Sequence, residues 1–383
     1  MQDAIQVAGI AIAIPARDEA VRLPRCLRAL ARQIATGFSW PDLTVIVTAN
    51  NCSDDTAVLA RAMAPALPFR LLVQEIRLPK QDAHAGGARA AAMGIAARHL
   101  PPRGLLISTD ADAEPAPAWL AAKLSARAAG ADAVAGAVDL HAGEFAALPT
   151  ELRRQLSREI MYAEALDQLA ALVDPEPRDP WPRHHWHSGA SMALSRDAWD
   201  RIGGLPRVKA GEDRALFAAV RRAGLLVRHE PQARVTVSCR LEGRAVAGMA
   251  DTLKRRLAAE SDTADTRLEP ARLALRRLRC RRGLRRLWQG EGSLSEVAAC
   301  CGVPAAAVRG TLGAASFWAA WEALEASAPG LRRQPLRLRD LAAELRTAQR
   351  LIAMRAWPGA ARRCDSAGGG DAAAGPHPYP APR

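Results

Sequence analysis

The residues best suited to chemistry are two aspartates one position apart, in the run Ser108-Thr109-Asp110-Ala111-Asp112-Ala113. Carboxylates at i and i+2 flank a turn and can face one cation. Hard oxygen ligands suit Mn²⁺ or Mg²⁺, and a diphosphate would complete the coordination shell. An isolated Asp-x-Asp pair is frequent by chance. Here it directly follows the apolar run 105–108 and precedes Pro115, Trp119 and Leu120. That places it at the carboxyl end of an expected strand, where open α/β sheets bind their ligands.

Five further polar clusters occupy similar positions. Pro15-Ala16-Arg17-Asp18-Glu19 follows the first apolar run, and Ala49-Asn50-Asn51-Cys52-Ser53-Asp54-Asp55-Thr56 follows the second. Asn, Ser and Asp in such turns cap helices and expose backbone N–H groups. His84-Ala85-Gly86-Gly87-Ala88-Arg89 combines glycines that permit close backbone approach with an arginine suited to a phosphate or a base edge. His187-Ser188-Gly189-Ala190-Ser191 leads on to Gly203-Gly204-Leu205, and Gly211-Glu212-Asp213 opens a helical run. Taken singly, each is also an ordinary strand-to-helix turn or an acidic helix start.

The elements that must position these residues alternate in type. Residues 7–14, 43–48, 70–74 and 105–108 are short and rich in Ile, Leu and Val; 23–33, 54–63, 88–98 and 116–129 are helical in pattern. Strands separated by helices imply crossover units, hence an α/β fold with a mainly parallel central sheet and helices on both faces. Beyond residue 250 the pattern becomes helical and rich in arginine, over 253–288, 294–321 and 336–354. We expect three parts: a catalytic domain over 1–250, a basic α-helical region over 251–363, and a disordered Gly/Ala/Pro tail over 364–383.

In their order and spacing the six clusters resemble the family 2 glycosyltransferases, over roughly residues 5–250. Ile14-Pro15-Ala16-Arg17-Asp18-Glu19 is similar to the family's opening I-P-x-[RY]-N-E, Asp110 and Asp112 to its D-x-D, and Gly203-Gly204 with Glu212-Asp213 to its G-G-[FL] and E-D pairs. The resemblance implies the GT-A nucleotide-diphospho-sugar transferase fold and a metal-dependent transfer of one sugar to an unidentified hydroxyl acceptor. It implies Asp110 and Asp112 as metal ligands, Asp213 as the catalytic base with Glu212 beside it, and an inverting reaction. Pro15, Arg17, Glu19, Asn50, Arg89 and Asp110 are the implied donor-binding residues. Asn50-Asn51-Cys52 stands where members carry an acidic uracil contact, so a UDP-sugar is the donor by default only. The Q-x-x-R-W signature of processive synthases is absent. The stretch 235–248 matches no motif.

Charge, cysteine and histidine usage bound the alternatives. The net charge is +13, of which +10 falls on residues 251–383. Such an excess suits an anionic or lipid-linked acceptor, a peripheral membrane contact or nucleic acid, as well as a plain solvated helix surface. The stretch 293–308 has the look of a helix-turn-helix, which defines the rival expectation of a catalytically silent nucleic-acid-binding protein. Its second helix offers one arginine and almost no base-reading side chains, which argues against that rival. Seven scattered cysteines without a Cys-x-x-Cys pair suggest reduced thiols. With no apolar run of membrane length, a cytoplasmic protein is expected, at most peripheral on the inner membrane face. Three histidines within six residues, His184, His185 and His187, read as a polar loop near the acceptor, with His187 the one that could line the site.

Overall fold

The computed structural model describes residues 7–241, 249–258 and 262–356. The expected tail 364–383 and the second half of the unmatched stretch 235–248, residues 242–248, lie outside these residues. Eight strands form one sheet: β1 (Ile10–Ala16), β2 (Leu43–Asn50), β3 (Arg70–Ile76), β4 (Leu105–Ser108), β5 (Glu114–Pro115), β6 (Ala133–Leu140), β7 (Met192–Ser195) and β8 (Val227–Val237). Their spatial order is β3-β2-β1-β4-β7-β6-β8-β5. Neighbours β3, β2, β1 and β4 run parallel, as do β6 and β8, while β7 and β5 run against their partners. The sheet is mixed but mainly parallel, as expected.

The helices are α1 (Leu23–Ala31), α2 (Thr56–Met63), α3 (Ala85–Arg98), α4 (Trp119–Ala128), α5 (Ala142–Ala147), α6 (Thr150–Val173), α7 (Arg196–Ile202) and α8 (Glu212–Arg222). They are followed by α9 (Met249–Leu257), α10 (Ala271–Trp288), α11 (Leu294–Cys301), α12 (Ala305–Thr311), α13 (Phe317–Ser327) and α14 (Leu341–Ala356).

Strand β1 shows why the layers form. Its side chains alternate, and both faces are buried. Ile10, Ile12 and Ile14 pack on one face with Leu23, Leu27 and Leu30 of α1 and Trp119 and Leu120 of α4. Ala11 and Ala13 pack on the other with Ala92, Met93 and Ala96 of α3 and Leu216 and Phe217 of α8. Small residues on both partners let α3 lie close to the sheet. Truncating a buried isoleucine such as Ile12 to alanine would cost about 2–5 kcal/mol. The sheet thus fixes the loops at its carboxyl edge.

The helical reading of the C-terminal region needs correction in its segmentation. The span 253–288 is two helices: α9 ends at Leu257, and α10 starts only after Pro270, which stands as its N-cap. The span 294–321 is three. Gly302 ends α11 in the left-handed conformation (φ 69°), and Pro304 then starts α12. The hairpin α11–α12 turns its apolar faces into a core with Cys280, Leu284, Trp321 and Leu324, and α13 packs on α8.

Helices α10 and α14 lie against α6. Much of the basic charge of α10 points inward there: Arg281 and Arg285 both bind the buried Asp174, and Arg277 joins Glu269 and Glu325. Among the described residues, no helix is long and apolar enough to cross a membrane.

Candidate active site

All nine site residues expected from the sequence line one cavity of about 890 Å³: Pro15, Arg17, Glu19, Asn50, Arg89, Asp110, Asp112, Glu212 and Asp213. They come from the carboxyl ends of β1, β2 and β4 and from the amino ends of α3 and α8.

The loops after β1 and β2 are fastened to each other. Asp18, in the left-handed region at φ 51°, accepts hydrogen bonds from the Ser53 backbone N–H (2.6 Å) and the Ser53 hydroxyl (3.0 Å). Asp54 accepts from the Ala20 N–H, and the Thr56 hydroxyl accepts from the Glu19 N–H. Asn50 donates through Nδ2 to the Ala16 carbonyl at 2.9 Å. These contacts hold Pro15 to Glu19 and Asn50 as one wall. The Ser and Asp residues of the second cluster therefore tie two loops together, while the N-cap of α2, Asp55, makes no side-chain capping bond.

Arg89 is buried at the centre of the site and binds four protein groups. Nε donates to Glu212 (3.1 Å), Nη1 to the Ser108 hydroxyl (2.9 Å) and the Gly189 carbonyl (3.0 Å), and Nη2 to Asp110 (2.8 Å). Burial works against its charge, but Asp110 and Glu212 outweigh that and hold the guanidinium firmly protonated. This differs from the expected contact with a phosphate or base edge. The side chain reaches the cavity wall, yet its donors face protein acceptors, because it neutralises the buried Glu212 and the part-exposed Asp110 together. Gly189 is required for this arrangement: a Cβ there would lie 2.1 Å from the Arg89 guanidinium carbon. Gly211, at φ 74°, turns the chain into α8 and so presents Glu212 and Asp213 to the cavity.

The second aspartate is neutralised from another direction. Arg240 lies 3.4 Å from Asp112 and 2.7 Å from Glu19. Even so, burial first and the neighbouring Asp110 second push the Asp112 carboxyl up to about 6, against the opposing effect of Arg240. Asp213 is also raised above the usual carboxylate range, by burial and then by Glu212, with its own bond from the Arg214 N–H (2.7 Å) opposing.

The histidines separate. His187 lines the cavity, half-buried, with its ring stacked on Phe217 and its Nε2 3.0 Å from that of His229. His229 in turn is held by Asp179 at 2.7 Å. Burial and the neighbouring His229 keep the His187 imidazole neutral well below its ordinary range. His185 is bound to Asp167 (2.6 Å), and His184 is buried beside His229.

Sequence reasoning missed two groups. Arg240 falls in the stretch without a motif, and its only signal was a lone charge after an apolar strand. The apolar residues that extend the cavity, including Phe145, Leu156, Ile160 and Leu253, gave no signal at all.

Residues 11–175 match the family model described as glycosyl transferase family 2. No curated protein matches the sequence. Among solved structures, the chain is similar to S. aureus TarS 1–349 in complex with UDP-GlcNAc (13% identity, 90% of this chain and 91% of that one, TM-score 0.44). It is also similar to the mannosyltransferase PcManGT from Pyrobaculum calidifontis in complex with GDP-Man and Mn²⁺ (18% identity, 92% and 85%, TM-score 0.43). A third is glucosyl-3-phosphoglycerate synthase from Mycobacterium tuberculosis in complex with Mg²⁺ and UDP (16% identity, 67% and 81%, TM-score 0.36). The family model covers the strands and loops that carry the Asp110/Asp112 pair, so over residues 11–175, a little under half of its length, the chain is similar to the family 2 glycosyltransferases.

Proposed function

We propose that the chain transfers a single sugar from a nucleotide-diphosphate donor, a UDP-sugar by default, to an acceptor hydroxyl with inversion, in a reaction that depends on Mn²⁺ or Mg²⁺. The observation that carries this reading is the convergence of a base-side wall, an aspartate pair and a raised carboxylate on one cavity.

The residues present fit a divalent cation. The donor set is oxygen only, and Asp112 stays short of positive charge even with Arg240 beside it. Asp110 and Asp112 would hold the ion, which when bound would stabilise negative charge on the departing diphosphate. Pro15, Arg17 and Asn50 form the wall for the nucleoside. Arg240 adds a cation facing the same carboxylates. Arg89 holds Asp110 and Glu212 in place.

Asp213 takes the proton of the acceptor hydroxyl as that oxygen attacks the anomeric carbon. The new C–O bond forms on one face of the sugar while the bond to the diphosphate breaks on the other. A carboxylate raised by burial is a better proton acceptor near neutral pH than an ordinary one, and such transfer typically contributes 10²–10⁴-fold in rate. The test is Asp213→Asn, which is nearly isosteric. Turnover should fall by about that factor while donor affinity, measured by calorimetry, is retained. Wild-type turnover would place the base elsewhere, and loss of folding would make Asp213 a structural cap of α8.

A further inference from the structure

The cavity is larger than the polar site at its edge and has two chemically different halves. Beyond Asp112 and Asp213 its lining includes Leu140 at the end of β6, Phe145 of α5, and Leu156 and Ile160 of α6, with Leu253 of α9 and Leu268 buried behind them and charged residues between. Leu156 and Leu253 belong to one small apolar cluster with Leu148 and Leu152, against which Leu140 and Phe145 pack. Ile160 remains 37% exposed. The arginines on this side are matched by carboxylates: Arg256 with Glu159 (2.8 Å), Arg267 with Asp265 (2.9 Å), and Arg234 with Asp139 (2.8 Å from Nε).

From this we infer that the acceptor is a hydroxylated amphiphile, with its hydroxyl at Asp213 and an apolar chain lying between α5–α6 and α9. The inference rests on the transfer reading above and deepens it. Two observations favour an apolar chain over an anionic headgroup. The apolar residues and the catalytic carboxylates line the same cavity, so a chain lying along the apolar side can carry its own hydroxyl to Asp213. An anionic group placed there would have to displace Glu159, Asp265 or Asp139 from its arginine. A site built this way takes apolar matter along its length and fixes orientation through a few polar groups. The +10 of the C-terminal residues therefore does not by itself select an anionic acceptor, since several of its arginines are already matched.

The test is calorimetric titration of the full chain with hexyl β-glucoside, methyl β-glucoside and glucose 6-phosphate, with nucleotide-diphosphate release from donor measured in parallel. A buried methylene favours binding roughly fourfold, so even partial burial should make the hexyl compound bind at least tenfold tighter than the methyl one. Ile160→Glu, at a part-exposed position that tolerates a polar side chain, should remove most of that preference. Equal affinity for the two glucosides, tightest binding of glucose 6-phosphate, or a hexyl preference unchanged in Ile160→Glu would each overturn the inference. Absence of the preference in the wild type while nucleotide release continues counts against the apolar acceptor alone. A preference intact without release from any donor counts against transfer, and with it against the bound amphiphile being an acceptor.

Discussion

The two halves of the cavity are held together by different forces. The donor half is polar and fixed: Arg89 alone joins α3 to the end of β4, to Gly189 and to α8, and Arg240 joins Glu19 to Asp112. The acceptor half is apolar and assembled from α5, α6 and α9, with charges that cancel pairwise at its margin. Directional bonds to buried charges tolerate little change. Apolar contact is non-directional and tolerates swaps of similar volume. On the proposed reading, one chain keeps a fixed polar site for the donor beside an apolar wall for the acceptor.

The comparison is most easily broken at Arg89. Arg89→Met leaves Asp110 and Glu212 without their counter-charge, and breaking a buried pair in this way should cost about 3–5 kcal/mol. Chemical denaturation measures this; a loss under 1 kcal/mol would mean that charge does not hold the donor half. Lys123 is an internal control outside both halves. It is fully buried on α4 with no hydrogen-bond partner, near the Trp119 ring, and burial lowers its pKa to about 7. The folded state therefore resists protonation that the unfolded chain accepts below about 10.5. Stability should rise with pH from about 7 to that value. Lys123→Met should stabilise the protein by roughly 1–3 kcal/mol at neutral pH and flatten the slope, with turnover unchanged. An unchanged slope would show that Lys123 is not its source.

Smaller effects sharpen the contrast. Arg240→Gln should weaken donor binding about tenfold, a modest loss for a charge-assisted contact, and leave hexyl glucoside affinity alone. Equal losses for both ligands would mean that the halves are not separable. The smallest expected effect is in the pH profile. Turnover needs Asp213 ionised, so its acid limb should lie above that of an ordinary carboxylate. Glu212→Gln removes a like charge and should move the limb to lower pH. Movement to higher pH would contradict the assignment of the limb to Asp213.

The same contrast explains what could be read from the sequence. The first four strands and the helices between them appear close to where the pattern put them, because β1, β2 and β4 are short buried apolar runs, β3 is a half-buried one at the sheet edge, and turn residues follow each. All nine proposed site residues share one cavity, because donor chemistry needs polar groups at strand ends, and such groups stand out against apolar runs.

Strand β6, Ala133–Leu140, is built largely of alanine and valine around a glycine, so its pattern is weak. Helix α6 has 24 residues and was not read, because its buried positions are spread among charged ones. The acceptor wall was illegible for a related reason: Phe145, Leu156 and Leu253 lie far apart in sequence, and an apolar residue facing a cavity looks like one facing a core. Arg240 was invisible because its role depends on Glu19, 221 positions away. Cysteines behave alike: Cys280 and Cys300 have no motif spacing, yet folding brings their sulfurs to 2.6 Å.

The central claim is that a divalent cation held by Asp110 and Asp112 joins the protein to the donor diphosphate. Calorimetric titration of the wild type and Asp112→Asn with a UDP-sugar, with and without Mn²⁺, tests it most directly. Wild-type binding should require Mn²⁺, and Asp112→Asn should lose metal and donor affinity together, by roughly 100-fold or more. Donor binding that is equally tight without Mn²⁺, or equally metal-dependent in Asp112→Asn, would contradict it.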